Sequence, residues 1–186
     1  MKTRCAWCEK DDLYRNYHDE EWGKPVYDDD TLFQFLVLET FQAGLSWYTI
    51  LKKRAHFSAA FDQFNYQSIA TYSEAKVQEL MQNEGIIRNQ LKIRATITNA
   101  IAFMKIQEEF GSFSTYIWNF VDGKPLQNNR QSLSEIPATT ALSDVISKDL
   151  KKRGFKFVGS TVVYAHMQAT GMVNDHVKDC FLYPKN

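Results

Sequence analysis

His176 and Cys180 stand four residues apart in "NDHVKDC", and side chains at that spacing share one face if the segment is helical. An imidazole and a thiolate supply half of a tetrahedral zinc site. Candidates for the other half lie at the opposite terminus: Cys5, Cys8 and His18, with twelve residues between Cys5 and His18. Spacing does not choose between Cys5 and Cys8. Two thiolates and two imidazoles leave zinc no open position, so such a metal is expected to be structural, clipping the two ends of the chain together. The alternative is a set of unrelated residues, a buried thiol here and a surface histidine there. A redox role for "CAWC" is the weaker idea, since no βαβ pattern surrounds it.

A second group could hold a ligand. "YHDEEWG" and "LETFQAGLSW" place Tyr17, Trp22, Glu39 and Trp47 early in the chain. Glu39 follows the apolar run "LFQFLVL", which points to burial, and a buried carboxylate among aromatics needs a partner that a ligand can supply. Against this stands a plain reading: Glu39 in solvent or paired with a Lys or Arg, and the aromatics as core. Gln42 and Leu45 lie in "QAGLS", either an ordinary interhelical turn or a wedge for a base stack. "SKDLKKRGFKFVG" gathers Lys148, Lys151, Lys152, Arg153 and Lys156 around Gly154 and Gly159. Two helices meeting there would present backbone N–H groups beside fixed positive charge, which suits phosphate. The same lysines would equally complement a helix C-terminus.

The elements that must position these residues read as helices. "DDDTLFQFLVLETFQAG" opens with capping aspartates and stops near Gly44, and Ser46 can cap "SWYTILKKRAHFSAAF". Ile93, Ile97, Ala100 and Met104 form one apolar stripe in the segment after Gly85, and Leu142, Val145, Ile146 and Leu150 another in "TTALSDVISKDLKKRG". "VDGKPLQNNRQSLSEIP" is a polar connection. "FKFVGSTVVYAHMQATG" is rich in β-branched residues, but a lone strand would have no partner elsewhere, so helix is expected. The chain therefore reads as all-α, one domain over 1–186.

Composition agrees. The 186 residues are 44% hydrophobic and 14% aromatic, and 22 basic side chains balance 22 acidic ones, so any polyanion must meet a local patch. No apolar run is long enough to span a membrane and no secretory leader opens the sequence, so a cytoplasmic protein with reduced thiols is expected.

Taken together, "YHDEEWG", "LETFQAGLSW", "EGIIRNQLKI", "LSEIP", "SKDLKKRGFKFVG" and "VNDHVKDC" resemble, in order and from end to end, the 3-methyladenine DNA glycosylase I family. The resemblance implies a helix–hairpin–helix glycosylase fold with its hairpin near 153–159. It implies one structural zinc per chain on Cys5, His18, His176 and Cys180, leaving Cys8 spare. It places Glu39, Tyr17 and Trp47, with Trp7 nearby, around a flipped 3-methyladenine. It gives Gln42 and Leu45 the gap left in alkylated double-stranded DNA, and Lys152, Arg153 and Lys156 the phosphates. N3-methylation makes the base cationic, which aromatic faces attract, while a carboxylate accepts from the exocyclic amine. The implied reaction is monofunctional hydrolysis to an abasic site by a monomer, without a membrane.

Many members of the wider superfamily carry an aspartate where this chain has Asn174. A cationic leaving group needs less help at the sugar, so Glu39 is assigned to recognition first and to catalysis second. The neighbouring Asp175 is a candidate for positioning water or for orienting a metal-ligating histidine. The rival readings are a non-catalytic, zinc-stabilised helical module that binds DNA, and a zinc hydrolase, which would need an open coordination position.

Overall fold

Asp28 and Ser46 open the two helices that carry most of the candidate pocket. Each accepts a hydrogen bond from the backbone N–H three residues on, at Thr31 and Thr49, satisfying a donor the helix start leaves free at a worth of about 1 kcal/mol. In the computed structural model, which describes residues 2–184, these helices are α2 (Asp29–Gln42) and α3 (Trp47–Ala60). The other α-helices among the described residues are α1 (Asp12–Glu20), α4 (Tyr66–Ile69), α5 (Glu74–Gln82), α6 (Gln90–Phe110), α7 (Phe113–Trp118), α8 (Ala141–Lys152) and α9 (Ser160–Ala169).

Helix α2 is the central element. From Phe35 to Phe41 every residue is buried, as expected of a helix apolar on all sides. It packs against α3, α6, α7 and α9. Its first residue ties it to α7: the Asp29 carboxylate accepts from the backbone N–H groups of Phe113 and Ser114 at 2.9 and 2.8 Å. At the same end, the buried His166 of α9 meets the Leu32 carbonyl through Nε2 at 3.0 Å. A smaller apolar cluster gathers Cys5, Tyr17, Trp22, Phe35 and Cys180, bringing both ends of the chain to one place.

The helical expectation holds, with three differences of detail. Only 160–169 of the β-branched segment is helical, and 155–159 forms the turn before it. A two-residue strand pair forms beyond that segment: Leu126–Gln127 (β1), inside the polar connection, pairs in parallel with Val173–Asn174 (β2). On α8 the buried face uses Ser143 and Ser147 with Ile146 and Leu150, while Val145 is 55% exposed. The two serines let α8 and α9 approach closely, and their hydroxyls bond Ser160 and the Val158 carbonyl. No helix among the described residues is long and apolar enough to cross a membrane.

Candidate active site

Glu39 is 3% exposed, and its Oε2 is buried without a hydrogen-bond partner among the described residues. Burial alone pushes its carboxyl up to about 8. The group lines a cavity of about 370 Å³. Tyr14 and Tyr17 from α1, Trp7 from the short turn Ala6–Cys8, Trp22 from the following loop and Trp47 from α3 form its aromatic walls. Trp7 lies edge-on to Tyr14 and Trp22, with centroids 4.9 and 5.1 Å apart, and Tyr17 lies 5.2 Å from Trp47. The indole Nε1 of Trp47 is also buried and unpartnered. An apolar, aromatic box holding one unpaired acceptor and one unpaired donor is built for a flat, polar-edged ligand.

Four expected residues, Trp7, Tyr17, Glu39 and Trp47, are brought together here. Tyr14, Leu133, Ile136, Ala165 and Gln168 complete the lining and were missed in the sequence. Tyr14 sits three residues before Tyr17 on α1, a spacing that could have found it.

Gln42 borders both this cavity and a smaller one of about 170 Å³, which reaches Leu45 and the Thr161–Val162 start of α9. Leu45 is 42% exposed at the tip of the turn, where Gly44 has φ +82°, a conformation costly for any residue with a Cβ. The buried Lys92 holds this turn: its Nζ donates to the carbonyls of Phe41 and Ala43 at 2.9 and 2.6 Å. It satisfies carbonyls that the end of α2 leaves open, and its charge complements that end of the dipole.

The basic turn lies at the start of α9. Asn99 clamps the Lys156 backbone from both sides, donating to its carbonyl at 3.0 Å and accepting from its N–H at 2.7 Å. Lys152 and Lys156 are exposed. Arg153, expected at the phosphates, pairs its guanidinium with Glu109 and Asp149 at 2.7 and 2.8 Å and lies over the rings of Phe110 and Tyr116.

Three expected metal ligands converge: the ligand atoms of Cys5, His18 and Cys180 all lie within 4.8 Å of one another. The fourth, His176, has its ring 5.0 Å from that of His18, and its buried Nε2 has no partner. Each imidazole is oriented through Nδ1, His18 against Asp19 and His176 against Asn174, both at 2.8 Å. Burial holds His176 down to about 4, hence neutral. Cys180 is held down to about 4, first by its hydrogen bond with Cys5. Two sulfurs and two neutral-capable imidazoles with fixed tautomers fit tetrahedral zinc. Cys8 is turned away, its thiol donating to the Cys5 carbonyl at 3.1 Å and pushed up to about 11 by burial.

Asp175, expected to position water or to orient a metal-ligating histidine, sits in a hydrogen-bond network. It is fully buried, and both oxygens are saturated by Asn128, Arg130, Tyr164 and Gln168. No lone pair is left for an attacking water, and Asn174, not Asp175, orients His176.

A family profile described as methyladenine glycosylase matches residues 7–183. The chain is 49% identical to DNA-3-methyladenine glycosylase 1 of Escherichia coli (strain K12), over 98% of each chain. A crystal structure of 3-methyladenine DNA glycosylase I superposes with TM-score 0.95 at 49% identity, covering 98% of this chain and 100% of the other. The Staphylococcus aureus enzyme, solved for its recognition of 3-methyladenine, superposes with TM-score 0.94 at 38% identity, over 98% and 97%.

Proposed function

The chain belongs to the methyladenine glycosylase family, and from that premise we propose that it excises 3-methyladenine from alkylated double-stranded DNA by hydrolysing the N-glycosidic bond. The observation that carries this reading is the unpartnered Oε2 of Glu39 in a cavity walled by aromatic rings. A base stacked in a duplex cannot present its edge to Glu39 between these rings, so the nucleotide is first extruded. Trp7, Tyr17 and Trp47 offer their faces to the cationic ring. Glu39 accepts from the exocyclic amine, and a guanine carbonyl at that position would meet the carboxylate as acceptor against acceptor. The cation in turn favours the ionised form of a carboxyl that burial otherwise keeps protonated.

In the reaction the bond from C1′ to the base breaks and its electron pair leaves with the base, cancelling the positive charge. Water adds to C1′ and gives up a proton, leaving an abasic site without strand cleavage. A neutral leaving group lowers the demand for an acid, and each tenfold in rate is only about 1.4 kcal/mol. Glu39 is the one carboxylate in this cavity with a buried, unpartnered oxygen. Its first role is recognition; guiding the water's proton is its second.

The remaining machinery follows the same reading. Gln42 and Leu45 fill the space the flipped nucleotide vacates. Lys152, Lys156 and the backbone N–H groups at the start of α9 hold phosphate in a helix–hairpin–helix arrangement centred on 153–159. One structural zinc per chain is held by Cys5, His18, His176 and Cys180; four protein ligands leave no site for a metal-bound nucleophile. The protein works as a monomer of one domain in the cytoplasm.

The test is chromatographic release of free base from methylated duplex DNA, with Glu39→Gln in parallel. Release of 3-methyladenine by the native protein and little by the variant is expected. If a folded native protein binds the duplex and releases no base, the non-catalytic DNA-binding reading replaces this one.

A further inference from the structure

We propose that Asp175 is a positioning residue for base recognition: it pins a strap, residues 126–136, so that Leu133 and Ile136 close one wall of the base cavity. The inference rests on the glycosylase reading of that cavity. The two oxygens of the carboxylate divide their work. Oδ1 accepts from the strap, taking Asn128 Nδ2 at 2.8 Å and Arg130 Nε at 3.2 Å. Oδ2 accepts from α9, taking Tyr164 Oη at 2.5 Å and Gln168 Nε2 at 2.8 Å. One fully buried side chain therefore rivets an exposed segment to the helix that carries Ala165 and Gln168 into the cavity.

The rest of the strap shows why this rivet matters. Its backbone ties run from Leu126, which donates to Met172, to Arg130, whose carbonyl accepts from Lys178 at 2.9 Å. Beyond Arg130 the hydrogen bonds turn inward: Gln131 N–H donates to Glu135, and Leu133–Glu135 form a single tight turn. The place of Leu133 and Ile136 over the cavity is thus set by where Arg130 is held. Losing the negative charge leaves donors facing one another in a buried site, a strongly unfavourable arrangement. The strap is then released while the aromatic walls and Glu39 stay where α1, α2 and α3 hold them.

The experiment compares the native protein, Asp175→Asn and Leu133→Ala. Affinity for free 3-methyladenine is measured by calorimetry, steady-state excision from methylated duplex supplies KM and kcat, and amide exchange is followed by residue. For Asp175→Asn, base affinity is expected to fall roughly tenfold, about 1.4 kcal/mol, with the kinetic loss mainly in KM. Exchange should quicken over 131–136 and not across α2 or α3. Leu133→Ala leaves the carboxylate network intact and should lower base affinity in the same direction, so it carries the test if Asp175→Asn does not fold. Asp175→Asn with native base affinity and a large loss in kcat overturns the proposal, making Asp175 part of the reaction. Exchange quickened uniformly across the chain overturns it too, as does native affinity in Leu133→Ala. A native protein that neither binds nor releases the base defeats the glycosylase reading instead, a result distinct from all of these.

Discussion

Trp22 and His176 meet edge to face, their ring centroids 4.7 Å apart and their planes at 72°. The indole also lines the base cavity and stacks on His18 at 6.2 Å. The proposed metal ligands and the aromatic walls of the cavity are therefore one packed cluster: His18 follows Tyr17, and Trp7 lies two residues past Cys5. The contact tolerates no added atom. A Cβ on Gly23, which has φ +77°, would stand 2.7 Å from His176 Cε1.

Removal of zinc should therefore be felt in the pocket as well as in the melting curve. Chelation, or His176→Ala, is expected to lower Tm and to weaken binding of free 3-methyladenine together. Calorimetry and zinc analysis by atomic absorption check this. Cys8→Ser should retain one zinc per chain; a zinc-free Cys8→Ser protein would reassign the thiols.

Glu39 should make the fold less stable as pH rises. Unfolded, its carboxyl loses a proton near 4.5; folded, it holds the proton to about 8. Between those values the folded state binds the extra proton, so stability falls across the window and stays low above it. Glu39→Gln removes this loss and should gain ~2–4 kcal/mol at pH 8 relative to pH 4.5, while excising poorly. Urea titrations of both proteins at the two pH values decide the matter, and parallel pH profiles would contradict the buried, unpaired carboxyl.

Lys92→Met keeps the length of the side chain and loses its donor. Two carbonyls at the end of α2 go unpaired, which should cost about 1–3 kcal/mol. Because the turn carrying Gln42 and Leu45 loosens, affinity for duplex with an abasic analogue should fall more than affinity for the free base. Equal loss in both would place Lys92 in the base pocket instead.

The two ends of the basic turn should behave differently. Lys156→Ala is expected to weaken DNA binding and lower the salt slope by about one unit without changing stability. Arg153→Ala breaks two ion pairs and two ring contacts, so ~1–2 kcal/mol of stability should go with little change in slope. Denaturation and salt-dependent binding of each variant separate the two roles.

What could be read from the sequence was local. The caps at Asp28 and Ser46 depend on neighbouring residue types alone. Burial of Glu39 competes with a plain solvent-facing reading, and the pairing of the two Cys/His half-sites rests on the family resemblance, because the half-sites lie at opposite ends of the chain. Spacing does not tell Cys5 and Cys8 apart, because which thiol faces His18 and Cys180 is decided by the backbone of the Ala6–Cys8 turn. The strap reads in the sequence as a polar connection, since Leu133 and Ile136 are isolated among polar residues, while Trp7 and Tyr14, with which they line the cavity, stand more than a hundred positions earlier. Nothing near Arg153 in the sequence announces its ion pair with Glu109, 44 residues earlier. The sequence offers Asp175 as a positioner of water or of a metal-ligating histidine and gives no sign of its four donors, which come from two segments that only the tertiary fold joins.

Cys5 and Cys180 close the chain almost end to end, and next to them the Phe181 N–H donates to the Thr3 carbonyl at 2.9 Å. The polypeptide is in effect a ring with a seam. Its order of elements has no privileged starting point, so a molecule spliced across the seam and opened at an exposed turn would keep the same neighbours around Glu39. A covalent splice across the seam would withhold freedom from the unfolded chain, by a quantity that grows only with the logarithm of the length enclosed.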